Sequence, residues 1–563
     1  MFSDCRASGV IIGLRVHRLV RFACAAPALV PLLAGTPARP HFTDIAGKSA
    51  ITYRSNNNYT GRKYFPQPMC GGIGSLDYDQ DGHMDIFFTN GAKFPELKKT
   101  DASFYNCLLR NRGDGTFEDV TRSAGLTGEN LGFSFGVAVG DYDNDGYPDL
   151  FICNAGRNTL YHNNGNGTFT DVTESSGLGG KPPNTLSVVA AWFDYDNDGL
   201  LDLVVSNYTL WTPETDIVCA APDGERYCNP RRYVSVPHRL YHNLGHGKFE
   251  DVTEQSGLVK ALGKGMGISI ADFNQDGWQD IFVANDTERN FLFLNQGNGT
   301  FKEVGLQYGV AYNDDGSTVS AMGCDAADYN NDGWTDIFYN NLVGQIWALF
   351  RNQEGRSFRY VSQRARVAQF SESMAGWSNG FLDYNNDGWK DIYSANGDID
   401  NVIANARQHD TLFENVDGTE FRDVSAEMGK DFQFTGFQRG SAVVDLNNDG
   451  FPDLVVTSLN ERPRILMNSA DNGNHWLTFD LRGHASNRDA IGARVKLTTP
   501  SGRTLYEHVR VSVGFMSSSD KRVHFGLGGE TRAATVEIRW PRGAVQTLKN
   551  VGGDRIVKIE EPQ

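Results

Sequence analysis

Asp141–Asp149 reads DYDNDGYPD. Side-chain oxygens stand at loop positions 1, 3, 5 and 9, and Gly146 stands at position 6. Alternate residues of a tight turn aim their side chains at one centre, and glycine permits the bend. Such a set of carboxylates suits a hard cation. Ca²⁺ accepts several oxygens at flexible geometry, including one backbone carbonyl, here expected from position 7. Mg²⁺ demands stricter octahedral geometry, and softer metals would want Cys or His side chains.

The pattern D-x-[DN]-x-D-G-x-x-D occurs seven times, its starts 64, 53, 78, 56, 55 and 62 residues apart. The first three copies predict the ligands Asp77, Asp79, Asp81 and Asp85 with the His83 carbonyl, Asp141, Asp143, Asp145 and Asp149 with Tyr147, and Asp194, Asp196, Asp198 and Asp202 with Leu200. The next two predict Asp272, Asn274, Asp276 and Asp280 with Trp278, and Asp328, Asn330, Asp332 and Asp336 with Trp334. The last two predict Asp383, Asn385, Asp387 and Asp391 with Trp389, and Asp445, Asn447, Asp449 and Asp453 with Phe451. From Asp272 onward position 3 is Asn, so these loops carry one charge fewer and are expected to bind more weakly. No EF-hand is present, because that motif closes on Glu at position 12 between helices, and the first loop has Phe88 there.

Each loop sits inside a larger unit. A small-residue strand such as GFSFGVAVG (132–140) leads in, and a second strand such as DLFICN (149–154) leads out. An L-x-x-N segment follows (Leu160–Asn163, Leu240–Asn243), then a Gly/Asn turn and an F-x-D-V strand (Phe169–Val172). Asn-Gly and Asp-Gly turns join antiparallel strands, so the unit is a four-stranded propeller blade. The seventh unit ends at Ile465–Asn468 without its F-x-D-V strand, and the missing copy, Phe42-Thr43-Asp44-Ile45, stands at the other end of the chain. That strand is expected to complete the last blade and remove the exposed sheet edge. The fold class is therefore all-β: a seven-bladed β-propeller over 39–470 and a small β-sandwich over 471–563, where apolar and polar residues alternate (Trp476–Leu481, Val536–Trp540).

Among the 563 residues, 69 acidic side chains face 52 basic ones, for a formal charge of −17. This balance disfavours a nucleic-acid partner, since phosphate contacts need clustered Lys and Arg. Up to seven Ca²⁺ would bring the charge to about −3 and relieve the repulsion within the loops. Arg15, Arg18 and Arg21 precede an apolar stretch, Phe22–Ala34, and a small-residue site, Thr36-Pro37-Ala38. Residues 1–38 read as a signal peptide, which predicts a secreted, periplasmic or extracellular protein. No later stretch is apolar enough to span a membrane. Outside the leader, Cys219 and Cys228 bracket the insertion CAAPDGERYC in the longest interval and are expected to form a disulfide. The pairing of Cys70, Cys107, Cys153 and Cys324 stays open.

These units resemble the FG-GAP/VCBS repeats of integrin α-subunit propellers and of many secreted bacterial proteins. Residues 474–561 contain SNRDAIGARV, HFGLG and WPRG in order, which resembles the ASPIC/UnbV domain that follows such a propeller in the cartilage acidic protein family. The resemblance covers nearly all of the chain after the leader and implies an extracellular calcium-binding protein. It supplies no catalytic residue, and the Cys-rich segment of the animal relatives has no counterpart here.

Several motifs dissolve into the repeat. Gly132-Phe133-Ser134-Phe135-Gly136 matches G-x-S-x-G but lies in a lead-in strand, without the strand-turn-helix context of a nucleophile elbow. Arg112-Gly113-Asp114 and the sequons at Asn166 and Asn298 fall in repeat turns. The position-7 aromatics read as packing between blades rather than as a ligand-stacking ring. His162, His242 and His246 read as surface residues without metal-ligand spacing. The function expected is a non-enzymatic binding or adhesion module with structural calcium and an unidentified protein or glycan ligand. The rival is a secreted enzyme acting on polysaccharide, which an unmetallated acidic pair in the central channel would favour.

Overall fold

The structure, a computed structural model, describes residues 40–129, 131–179, 184–222, 224–400, 404–469 and 472–563. The leader read over 1–38 lies outside them. Among the described residues, seven four-stranded antiparallel sheets follow one another along the chain. We number them as blades 1 to 7. Blade 2 is typical: Ser134–Gly140 lies innermost, then Asp149–Asn154, Thr159–Asn163 and Phe169–Asp171. The innermost strands of the other blades are Ile73–Leu76, Thr185–Phe193, Gly265–Ala271, Cys324–Ala327, Gly376–Leu382 and Gln438–Val444. Each touches the next, and the last touches the first, so the sheets form a closed ring. Blade 7 takes its outer strand from the N-terminal side: Phe42–Asp44 pairs antiparallel with Arg464–Asn468, Phe42 opposite Asn468.

Neighbouring blades share cores built from alternating strand residues. Ile73, Ile86, Ala442 and Val455 fill the space between blades 7 and 1. Phe338, Trp347, Phe381 and Ile392 fill that between blades 5 and 6. Each large apolar side chain buried there contributes roughly 1.5–3 kcal/mol of burial free energy. Of the position-7 aromatics, Tyr147, Trp278, Trp334 and Trp389 lie against Gly165, Gly297, Gly355 and Gly418 in the outer hairpin turns of their own blades, and Gly355 and Gly418 also approach Asn274 and Asn330 of the preceding loop. These glycines hold positive φ, and a Cβ there would strike the ring within 3.0 Å.

The C-terminal region forms two facing sheets. One is Val523–Gly528, His475–Arg482 and Arg555–Glu560, the last pair parallel. The other is Thr504–His508, Arg494–Thr498, Arg532–Arg539 and Val545–Gly552. Leu477, Phe479, Val495, Val536 and Trp540 lie between them, in the same continuous core as blades 2 and 3. Cys219 and Cys228 form a disulfide with Cα atoms 5.4 Å apart. Cys70, Cys107, Cys153 and Cys324 are buried. No helix of the described residues is long and apolar enough to cross a membrane.

Candidate metal centres and the capped loop face

All seven repeat loops adopt one backbone. Position 4, always Asn or Gln, holds φ between 56° and 58°, and the position-6 glycine holds φ between 82° and 98°. Amide side chains tolerate that left-handed region better than most. In the second loop Asp141 accepts the N–H groups of Asp145 and Gly146 at 3.0 and 2.8 Å. Asp145 accepts the Tyr147 N–H at 2.8 Å. Asp149 is fully buried and accepts the N–H of Tyr142 at 3.2 Å and of Asn163 at 2.8 Å. Asn163 is the asparagine of L-x-x-N, which explains that element of the repeat.

Two belts of hydrogen bonds link the loops. The position-4 amide of each loop donates to the position-6 glycine carbonyl of the next. The chain runs Gln80 to Gly146, Asn144 to Gly199, Asn197 to Gly277, Gln275 to Gly333, Asn331 to Gly388, Asn386 to Gly450 and, closing the ring, Asn448 to Gly82. In the opposite sense, the L-x-x-N asparagine of each blade donates to the position-2 carbonyl of the preceding loop. Asn163 reaches Tyr78 at 2.9 Å and Asn111 reaches Leu446 at 2.8 Å. The position-4 residues were missed by sequence reasoning, although Asn or Gln in all seven copies was the available signal.

The acid sets divide into two groups. Carboxylate oxygens of Asp77, Asp79 and Asp85 lie within 4.8 Å of one another, as do those of Asp141, Asp143 and Asp149 and of Asp194, Asp196 and Asp198. Oδ1 of Asp77, Asp79 and Asp143 is buried without a hydrogen-bond partner. Buried, unpartnered carboxylate oxygens are costly, and a donor set of hard oxygens fits Ca²⁺. In the later loops an amide answers a neighbouring acid. Asn274 donates to Asp276 at 2.9 Å, Asn385 to Asp387 at 3.1 Å, Asn447 to Asp449 at 2.8 Å and Asn330 to Asp336 at 3.3 Å.

The residue before the L-x-x-N asparagine varies, and in four blades it meets the loop acids. Arg110 pairs with Asp79 at 2.7 Å and Asp81 at 3.1 Å, and Arg351 pairs with Asp332 at 3.0 Å. His162 Nδ1 lies 3.3 Å from Asp149, and His242 Nδ1 lies 3.1 Å from Asp202. These two histidines are therefore part of the acid clusters, contrary to their reading as surface residues. A strand brings them there, and spacing along the chain does not report it. Without a cation, burial and then neighbouring carboxylates push Asp194 up to about 8. Burial pushes Asp85 up to about 8, and Asp149 and Asp202 up to about 7. It holds Asp280, Asp336, Asp391 and Asp453 well above the usual carboxylate range. His162 rises to about 9 through its hydrogen bond to Asp149.

The C-terminal domain sits on this loop face. Arg488 donates its N–H to Asn144 Oδ1 at 2.8 Å, and Asp489 accepts the Asp141 N–H at 2.8 Å. Arg494 reaches the Gly333 carbonyl at 3.0 Å, Arg503 that of Asp387 at 2.6 Å and Arg522 that of Asp445 at 2.9 Å. The SNRDAIGARV segment thus reads the loops directly. From the same domain, residues 509–520 enter the propeller axis. Val137 N–H donates to the Met516 carbonyl at 3.2 Å, and Gly514 N–H donates to Cys324 O at 2.9 Å. Phe515 packs edge-on against Trp377 with centroids 5.2 Å apart. A Cβ on Gly72 would lie 2.6 Å from the Met516 carbonyl, and one on Gly323 would lie 2.6 Å from the Phe515 nitrogen. The small lead-in strands therefore admit this plug. Asp325 at the axis is paired with Arg510 at 2.9 Å.

Fold and site define a ring of acidic repeat loops, locked edge to edge and capped by a second β-domain. Residues 77–152, 141–205, 214–283, 272–339 and 328–394 match the FG-GAP-like repeat family, 437–474 match the FG-GAP repeat, and 483–563 match ASPIC and UnbV. The chain belongs to the FG-GAP-like repeat family, with an ASPIC and UnbV domain at its C-terminal side. Cartilage acidic protein 1 of Mus musculus is 24% identical, covering 95% of this chain and 79% of its own length. That of Homo sapiens is 23% identical, covering 93% and 76%. Among solved structures, the BP39L lectin from Burkholderia pseudomallei aligns with a TM-score of 0.44 at 8% identity, over 72% of this chain and 97% of the lectin. The exotype rhamnogalacturonan lyase YesX aligns at 0.36 and 10%, over 71% and 72%.

Proposed function

We propose that this chain is an exported, non-enzymatic interaction module whose loop face is held rigid by Ca²⁺. The observation that carries this reading is the shared use of the loops. The loops that carry the acids also bond to one another around the ring, and those of blades 2, 5, 6 and 7 seat the C-terminal domain. A cation in a loop would fix the position-6 and position-5 carbonyls that the neighbouring loop and the cap's arginines grip, so occupancy and cap docking are one event. The Cys219–Cys228 disulfide and the likeness to cartilage acidic protein 1 support an extracellular setting. Asp325, the axial acid beside the plug, is paired with Arg510. Equilibrium dialysis of the full chain against ⁴⁵Ca²⁺, with hydrogen exchange of residues 509–520, tests this. Several bound ions and slower exchange of the plug in calcium are expected. Less than one ion per chain, or plug exchange indifferent to calcium, contradicts the reading.

A further inference from the structure

The end of the axis opposite the cap is built from the irregular parts of the chain. The Cys219–Cys228 hairpin and the segment 59–69 fold over it, with Arg62 paired to Asp216 at 3.1 Å and Phe65 stacked on Tyr233 at 4.0 Å. There they border a cavity of about 390 Å³, within the size range of small-molecule sites. Tyr227 and Met322 form part of its apolar wall, with Trp377 buried behind them under the Arg439 guanidinium at 3.9 Å, and Tyr208, Asp286 and Thr287 supply polar groups.

Asp286 is 3% exposed. Its Oδ2 accepts the Tyr208 hydroxyl at 2.6 Å. Asp286 Oδ1 and Thr287 Oγ1 are buried and, among the described residues, lack a hydrogen-bond partner. Burial raises the Asp286 carboxyl to about 6, while the Tyr208 and Ser320 hydroxyls and then Lys264 and Arg231 pull it back toward the ionised form. Thr287 holds φ at 61°, and its N–H is fixed to Val319 O at 2.8 Å. A β-branched residue in the left-handed region is a backbone outlier, and such strain collects at functional sites. Here it sets a hydroxyl beside a half-satisfied carboxylate.

The surrounding charges select the ligand. Lys264 and Arg231 act on Asp286 and Arg226 lines the cavity, so an incoming cation meets like charge. Asp286 and Asp398 line it too and repel an anion, while Asp400, also in the lining, is paired with Lys63 at 2.9 Å. A neutral ligand that donates hydrogen bonds on one side and presents C–H surface on the other satisfies both walls. The geometry points to a saccharide residue, its hydroxyls held by Asp286 Oδ1 and Thr287 Oγ1 and its apolar face against the Tyr227 ring. This rests on the interaction reading above but on none of the calcium loops.

Calorimetric titration of the full chain in millimolar calcium tests it. The probes are glucose, galactose, mannose, rhamnose, N-acetylglucosamine and cellobiose, with choline and gluconate as charged arms. At least one neutral sugar is expected to bind, and Asp286→Asn and Thr287→Gly each to weaken it about tenfold. Thr287→Gly should leave the melting temperature unchanged or higher, because glycine takes that φ freely. The assignment is overturned if no sugar binds, if choline or gluconate binds instead, or if both variants bind the sugar as the parent does. Sugar binding that persists while EGTA leaves the melting temperature untouched sinks the calcium reading alone.

Discussion

The first three loops and the last four share a backbone, a belt of hydrogen bonds and a cap, and differ at one atom type. At position 3 the early loops have Asp79, Asp143 and Asp196, whereas the late ones have Asn274, Asn330, Asn385 and Asn447. In the early group carboxylate oxygens gather within 4.8 Å. In the late group an amide N–H donates to a neighbouring acid. On the proposed reading the same electrostatic problem is met twice, once with a divalent ion and once with a donor from the chain. Loop 1 falls between, because Arg110 already pairs with two of its acids. The lesson is that a repeat count does not equal a count of equal sites.

The strongest way to probe the comparison is at position 9, which both groups share. Asp149→Ala and Asp391→Ala each strand two backbone N–H groups, those of Tyr142 and Asn163 or of Tyr384 and Asn415. Each is expected to cost roughly 2–6 kcal/mol in chemical denaturation. A loss confined to one group would break the idea of a common frame. Position 3 comes next. Asp143→Asn should weaken calcium at loop 2 about tenfold and Asn385→Asp should strengthen it at loop 6 by a similar factor, read by terbium luminescence titration. Equal affinities in both variants would remove the distinction.

The response to pH is broader and smaller per site. Burial holds Asp149 and Asp202 near 7, and Asp85 and Asp194 near 8, in the cation-free fold. The folded chain then keeps protons that the unfolded chain has lost, so chelated stability should fall as pH rises from about 4 through about 8. His162, raised to about 9, adds in the same direction, since its stabilisation is lost as pH climbs through that value. Melting in EGTA should therefore drop between pH 5 and 9, while melting in calcium stays nearly level. Smallest of all, Asn331→Gly removes one link of the belt, the bond to the Gly388 carbonyl at 2.9 Å, while glycine takes the left-handed φ freely. It should cost about 1 kcal/mol, with the same deficit in calcium and in EGTA.

Much of this was legible because repetition made it so. The loop register predicted the blades, and the orphan Phe42–Ile45 strand predicted its place at the edge of blade 7. The CAAPDGERYC spacing predicted its disulfide. What stayed hidden depends on contacts between distant residues. His162 and His242 meet the loop acids across a strand pair, so their order along the chain conceals them. The plug at 509–520 belongs to the second domain yet finishes the first, and only Gly72, Gly136 and Gly323 in the lead-in strands hinted that something must approach closely. The position-4 amides were visible in every copy, but their partners lie in the next blade. The far-side cavity has no repeat at all, and the interval of 78 residues was its only trace in the sequence.

The central claim is that the loop face depends on bound calcium. Thermal unfolding of the purified chain at pH 8, with calcium and then with excess EGTA, measures it directly. Each site filled at a hundred times its dissociation constant contributes about 2.7 kcal/mol, so several filled sites should raise the melting temperature by ten degrees or more. The account predicts that drop on chelation and its recovery on adding calcium back. An unchanged melting temperature, with no calcium carried through purification, would contradict it.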